Sequence, residues 1–112
     1  MKRDMELVRK ILVEVEALTD PRGAYRLTFD GFSDEEISYH IQLLAKHGLI
    51  EAVDYSTRGE FCWLVRNLKW DGHDFIDAIR DDSRWNRAKQ WVADAGKTLT
   101  LESLKLAVKA LF

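Results

Sequence analysis

The feature that most constrains the fold is a helix with a marked start and a marked end, followed directly by two strand-like runs. Ser33 and Glu36 stand three residues apart, the spacing of a capping box, in which each side chain accepts a hydrogen bond from the other residue's backbone N–H. Gly48 closes the segment, because glycine readily takes the positive φ of a helix C-terminus. The spacing therefore predicts a helix over residues 33–47 that leads straight into a hairpin.

The hairpin prediction rests on two apolar, β-prone runs, residues 49–55 and 61–66. A short polar loop that contains one glycine joins them. Loops of this kind connect antiparallel strands, so we expect Arg58 and Gly59 at the tip.

Apolar spacing predicts further helices over residues 5–18, 68–80 and 84–95, and a last one capped by Thr98 or Thr100. Asp4 is a suitable N-cap for the first of them. The alternating, β-prone run at residues 25–29 predicts a short strand. The order is therefore helix, strand, helix, hairpin and three more helices.

This order is typical of an α+β, winged-helix-like domain with additional C-terminal helices. In that architecture the helix before the hairpin is the recognition helix and the hairpin is the wing. The run at residues 40–50 resembles the end of the recognition helix in many bacterial winged-helix repressors. We expect a single domain over residues 1–112, with a core at about 4–82 and a helical extension at about 83–112.

Composition excludes several classes of protein. The chain has 112 residues with a net charge of −2, and its one cysteine excludes an internal disulfide framework. No apolar run approaches the roughly 18–20 residues of a membrane span. The start is charged and lacks the apolar block of a signal peptide, so we expect a cytoplasmic protein with no membrane contact. This slightly negative net charge disfavours a protein whose whole surface binds nucleic acid, but it is compatible with a local basic patch.

Three segments resemble one protein family: residues 1–5, 39–44 and 68–82, the last followed by Trp85 and Asn86. The longest of them reads LKWDGHDFIDAIRDD. Together they resemble the domain of unknown function 2513 family, which comprises small bacterial, phage and prophage proteins. The resemblance covers nearly the whole chain. It implies a winged-helix-like fold and a mobile-element setting, and it brings no catalytic residues.

Five residues are candidates for binding nucleic acid. Ser38, Tyr39, Gln42 and Lys46 fall opposite the apolar stripe of the recognition-type helix. Glutamine can pair with an adenine edge, and serine or tyrosine can contact bases or phosphates. Arg58 at the wing tip is placed for a phosphate or a narrow minor groove. The pattern predicts a DNA-binding transcriptional regulator.

Two observations oppose DNA binding. The recognition-type helix begins Asp34-Glu35-Glu36, which would repel phosphates. Residues 19–32 carry a turn and a strand pattern where a helix-turn-helix has its first helix. An ordinary amphipathic helix therefore stays open as an interpretation.

The alternative function is a non-catalytic protein–protein interaction module, an adaptor or a modulator of a host factor. Four tryptophans are many for this length, and Trp91 lies at the edge of its helix stripe. The last helix is apolar to its end, so it either caps its own core or docks on a second subunit as a homodimer. The candidate interface residues are Trp91, Leu104, Val108, Leu111 and Phe112.

Catalytic and metal chemistry find little support. Glu36, His40 and His47 could share a metal by spacing, but the glutamate has a capping role and no further ligand completes the set. A histidine satisfied by protein hydrogen bonds is the favoured interpretation of His40. Cys62 is expected to face the core. We therefore expect no enzyme activity, cofactor, metal or small-molecule substrate.

Overall fold

The structure, a computed structural model, describes residues 1–112 and contains five helices and one antiparallel hairpin. The predicted α+β content is confirmed, and the order of elements is compatible with a winged-helix-like layout. None of the helices has the length and apolar character needed to cross a bilayer. The elements are α1 Met5–Ala17, α2 Asp34–Lys46, β1 Ile50–Asp54, β2 Trp63–Leu68, α3 Trp70–Ile79, α4 Asp82–Asp94 and α5 Leu101–Leu111.

The chain separates into two compact units, Met1–His73 and Asp74–Phe112. The first contains α1, α2 and the hairpin around a core of aliphatic side chains. In the second, Trp85 of α4 and Leu104 of α5 are buried. The expectation of one domain with an extension that starts near residue 83 stays a prediction. The fully buried side chains of the first unit include Leu7, Ile11, Leu12, Ile37, Ile41, Leu49, Ile50 and Val65.

The predicted helix ends of the first unit are confirmed. The Asp4 carboxylate accepts the first free N–H groups of α1, at 2.9 and 3.3 Å. Ser33 and Glu36 form the reciprocal capping box of α2, with both bonds at 3.1 Å. Gly48 has a φ of 79°, and the N–H of Leu49 then returns to the carbonyl of Leu44 at 3.0 Å.

The hairpin runs beyond its regular strands. Asp54 and Trp63 are the last paired residues of β1 and β2. Further out, the N–H of Thr57 donates to the carbonyl of Glu60 at 2.8 Å. Arg58 and Gly59 therefore form the tip, as predicted.

The strand predicted at residues 25–29 is reduced to a single bridge. Tyr25 exchanges two 2.9 Å backbone hydrogen bonds with Val65 of β2, and no later residue of the run pairs. Burial still alternates, because Leu27 and Phe29 are half-buried while Arg26 and Thr28 are exposed. The periodicity identified an extended segment correctly, but only its first residue reaches the edge of β2.

The first turn of α3 is fixed against the connection between α2 and β1. The Lys69 N–H donates to the Leu49 carbonyl at 2.9 Å. Gly72 is buried one turn later, and a methyl group built on it would overlap the Leu49 carbonyl oxygen. Only glycine allows the two backbones to come this close.

Candidate nucleic-acid interface

The exposed side of α2 is a single stripe of polar side chains. Glu35, Tyr39, Gln42 and Lys46 follow the i, i+4, i+7, i+11 spacing that keeps side chains on one helix face. At a rise of about 1.5 Å per residue the stripe is roughly 16 Å long. The two end residues are exposed and the two middle ones are half-buried. Lys46 is therefore exposed as predicted, Tyr39 and Gln42 are partly accessible on the same face, and nucleic-acid binding by all three stays a prediction.

Ser38 does not belong to this stripe, and its predicted outward orientation is wrong. Its side chain is 5% exposed, and its Oγ accepts the backbone N–H of Trp63 at 3.0 Å. The position lies at the border between the polar and apolar sides of α2, and β2 covers that border. Ser38 therefore joins the helix to the hairpin and is not available to DNA.

We expect the substitution Ser38→Ala to lower the free energy of unfolding by about 1–2 kcal/mol, because the Trp63 N–H loses its acceptor in a partly buried place. Urea denaturation followed by circular dichroism measures this change. The folded variant should bind any nucleic-acid ligand as the unchanged protein does. A loss of binding without a loss of stability would return Ser38 to the set of contact residues.

His40 is held on the inner side of α2 and is only 1% exposed. Its Nε2 accepts the Asp4 backbone N–H at 2.8 Å, and Nδ1 donates to the Glu36 carbonyl at 2.7 Å. Both ring nitrogens are thus used within the protein, which confirms the interpretation as a satisfied histidine. The Tyr39 ring meets the imidazole edge-on, with 6.0 Å between centroids.

Hydrogen bonds between its two arms shape the wing. The Ser56 Oγ accepts the Cys62 N–H at 2.9 Å, and the Ser56 N–H donates to Asp54 at 2.9 Å. The hydrogen bonds from Ser56 lower the pKa of the Asp54 carboxyl. Cys62 is buried as predicted, and burial raises the pKa of its thiol. The loop therefore has a defined shape that leaves Arg58 exposed at its end.

An ion pair ties the wing to the segment before α2. The Arg26 guanidinium donates to Glu60 at 2.7 Å. This hydrogen bond lowers the pKa of the Glu60 carboxyl and raises the pKa of Arg26. Both side chains are about half exposed, so the pair contributes little to stability. Because Glu60 pairs with Arg26, it does not neutralise Arg58, which is the cation at the tip of the hairpin.

Lys46 and Arg58 lie towards opposite ends of the stripe. The hairpin starts at Ile50, shortly after the C-terminal end of α2. Its second strand begins at Trp63, which is hydrogen-bonded to Ser38 nearer the N-terminal end of the same helix. The tip at Arg58 lies five residues from Trp63 along the chain, at the bend that Thr57 and Glu60 close. Lys46 is therefore the cation at the C-terminal end of the stripe, and Arg58 lies on the loop beyond the level of Ser38. The N-terminal end of the stripe is acidic, because Asp34 and Glu35 are both exposed.

The tryptophans differ in burial in a way that the sequence analysis missed. Trp70 is 80% exposed, whereas Trp91 is half-buried and Trp85 is buried. Helix phase could have identified Trp70, since it lies about 180° from Ile79 on α3. Trp63 is half-buried, and its indole N–H has no hydrogen-bond partner.

The predicted protein interface on α5 is corrected at one residue. Leu104 is 0% exposed, because it lies in the core of its own unit. Val108 and Leu111 are half-buried, and Phe112 is exposed beside Arg84 and Arg87, at 4.8 and 5.2 Å from its ring centroid. The apolar helix therefore caps its own unit, and a homodimer through α5 stays a prediction.

Comparisons with known proteins identify the family of this chain, but the matches carry no described activity. A family model described as "Hypothetical protein (DUF2513)" matches residues 2–98. An uncharacterised protein of Haemophilus influenzae is 41% identical over 106 residues, which span 94% of this chain and 90% of the relative. No solved structure matches the chain. The family resemblance read from the sequence is confirmed, and the mobile-element setting stays a prediction.

Proposed function

The chain belongs to the DUF2513 family, and from the geometry of this member we propose that it is a winged-helix protein that binds duplex DNA and regulates transcription. The observation that carries the proposal is the stripe of Tyr39, Gln42 and Lys46 on α2 beside an exposed hairpin with Arg58 at its tip. A helix of this width fits a major groove about 12 Å wide. Arg58 at the exposed tip of the hairpin would then contact the phosphate backbone of the DNA next to that groove.

The four side chains have separate roles in this proposal. Gln42, at the centre of the stripe, presents an amide that can pair with the N6 and N7 positions of adenine. Tyr39 lies one turn earlier and contacts a base or a phosphate through its hydroxyl. Lys46 and Arg58 neutralise phosphates at the two ends of the site. The side chains of Tyr39, Lys46 and Arg58 form no ion pair or hydrogen bond within the chain.

The acidic first turn of α2 limits how DNA can approach. Asp34 and Glu35 stabilise the helix N-terminus through its dipole, but they would lie near phosphates if that end entered the groove. We therefore propose that the central and C-terminal turns of α2 make the base contacts. The substitution Glu35→Gln should then tighten DNA binding, because it removes a repulsive charge next to Tyr39.

The test is a double charge reversal at the two ends of the site, Lys46→Glu with Arg58→Glu. Affinity for a duplex of mixed sequence, measured by fluorescence anisotropy at several salt concentrations, should fall at least about tenfold, and the slope of log affinity against log salt should decrease by roughly two. The physical reason is that each lost phosphate contact no longer releases a counterion on binding.

The matched control reverses Lys97 and Lys109, two exposed lysines of the second unit, and so changes the net charge equally. It should retain most of the affinity of the unchanged protein. Equal losses in both double variants would show attraction by net charge alone and remove α2 and the wing as the binding site. No binding at low salt would overturn the proposal in favour of a protein-interaction module.

A further inference from the structure

Two arginines of the second unit share one aromatic ring. Arg84 and Arg87 lie three residues apart on α4, and the central carbons of their guanidinium groups lie over the Phe112 ring, at 4.8 and 5.2 Å from its centroid. Phe112 follows the last turn of α5, where its N–H donates to the Val108 carbonyl at 2.9 Å. All three side chains are exposed. They form one surface, which we call the Arg–Phe cluster and define as Arg84, Arg87 and Phe112.

Neither arginine uses its N–H donors within the protein. No carboxylate forms an ion pair or a hydrogen bond with the guanidinium of Arg84 or Arg87. Asp81 and Asp82 lie at the start of the same helix, but the Asp81 carboxylate accepts the backbone N–H of Arg84 instead, at 3.2 Å. A guanidinium that stacks on a ring keeps its in-plane N–H groups available for hydrogen bonds. The cluster therefore presents two positioned cations whose donors are unused.

We propose that the Arg–Phe cluster is a docking site for an acidic segment of a partner protein. A guanidinium binds a carboxylate through two parallel hydrogen bonds, which fix its orientation and are stronger than hydrogen bonds between neutral groups. Two carboxylates of the segment would each pair with one arginine, and an apolar side chain beside them would cover the rest of the Phe112 ring. Because the ring already holds both guanidiniums, their side chains lose little conformational entropy on binding.

Composition and charge favour a protein over nucleic acid as the occupant. Arginine and aromatic residues are enriched in protein–protein interfaces, whereas lysine is depleted, and the cluster contains only the first two kinds. A ring face that a guanidinium covers cannot stack a base, which is the contact that single strands require. The second unit has seven basic and six acidic residues, so it lacks the broad positive surface that binds a long polyanion.

Trp91 continues this surface along α4. Arg84, Arg87 and Trp91 follow the i, i+3, i+7 spacing that keeps side chains on one helix face, and the indole is half-buried. Asp94, three residues after Trp91, is hydrogen-bonded to Gln90 at 2.8 Å and marks the end of the positive part. An aromatic side chain beside arginines is typical of the residues that contribute most to binding in protein interfaces.

The test replaces both arginines in the full chain, Arg84→Lys with Arg87→Lys, which keeps the charge but removes the planar groups that stack and pair. Hexaglutamate is the probe and hexaglutamine its uncharged control, each titrated at low salt and followed by NMR of the arginine Nε–H groups. Hexaglutamate should shift the Arg84 and Arg87 signals until they saturate, and hexaglutamine should not. In the lysine variant, followed through backbone amides, the dissociation constant should rise at least about fivefold.

Arg80→Lys is the matched control, because Arg80 is the remaining arginine of the second unit and pairs with Asp77 outside the cluster. It should bind hexaglutamate as the unchanged protein does. Phe112→Ala should weaken binding about threefold, since the guanidiniums keep their charge but lose the ring that positions them. The replaced side chains are exposed, so each variant should fold, which circular dichroism checks.

Three results would overturn the inference. Equal affinity of the arginine and lysine forms would show attraction by charge alone, and unmoved Arg84 and Arg87 signals would place any binding elsewhere. Displacement of hexaglutamate from the cluster by hexathymidylate would assign the surface to nucleic acid. The lysine variant should bind duplex DNA unchanged, so failure of this site and failure of the duplex site on α2 can be distinguished.

Discussion

The substitution Gly72→Ala is expected to destabilise the protein by about 3 kcal/mol, the upper part of the range for overpacking a buried site. The added methyl group would meet the carbonyl group of Leu49, which is backbone and cannot rotate away. The same carbonyl accepts the N–H of Lys69, so relief of the overlap also weakens that bond. An alanine in an unhindered helix would instead stabilise the protein by up to about 1 kcal/mol.

Urea denaturation of the unchanged protein and of Gly72→Ala measures this difference in the free energy of unfolding. Gly59→Ala is the matched control, because a methyl group at the wing tip meets nothing within 4 Å and Gly59 does not require a positive φ. Its free energy of unfolding should stay within about 0.5 kcal/mol of the original value. If Gly72→Ala were as stable as the control, α3 would not be held closely against Leu49.

Features encoded within a few neighbouring residues were predictable from the sequence. The caps at Asp4 and Ser33 depend on side chains that reach backbone N–H groups two or three residues away, and both form as expected. Gly48 and the hairpin tip at Arg58 likewise follow from local backbone preferences. These signals are sufficient to fix the helix, the connection and the wing that make up the candidate site.

Features decided by contacts between distant segments were not predictable. The run after Tyr25 alternates like a strand, but pairing depends on how far β2 extends alongside it. Ser38 lies on the border of the polar side of α2, and only the arrival of Trp63 decides that it is buried. Leu104 is apolar in either environment, so periodicity alone does not distinguish a core from an interface.

The environment of Trp70 depends both on a local sequence signal and on a contact between distant segments. The helix phase of α3 directs Trp70 away from the buried side, which can be worked out from the spacing to Ile79. The start of α3 is placed by the close approach of Gly72 to Leu49, a contact between segments that are distant in the sequence. The exposure of Trp70 could thus be predicted from the sequence, whereas the contact that holds the start of α3 required the structure.

The substitution His40→Ala should lower the free energy of unfolding by about 3 kcal/mol, because the partly buried N–H of Asp4 loses its acceptor and a cavity is left where the ring lay. Because Nε2 accepts the N–H of Asp4, the proton must lie on Nδ1, which donates to the carbonyl of Glu36. The neutral ring in this tautomer therefore joins the start of α1 to α2. Loss of the ring should loosen the N-terminal end of α1 first, which hydrogen exchange at Glu6 and Leu7 would detect.

Two variants separate the hydrogen bond from the volume of the side chain. In His40→Gln the amide oxygen can take the place of Nε2, so we expect roughly half of the loss seen with alanine. His47→Ala removes an exposed histidine from the C-cap of the same helix and should change stability by no more than about 0.5 kcal/mol. Equal losses for glutamine and alanine would mean that ring packing, and not the bond to Asp4, joins the two helices.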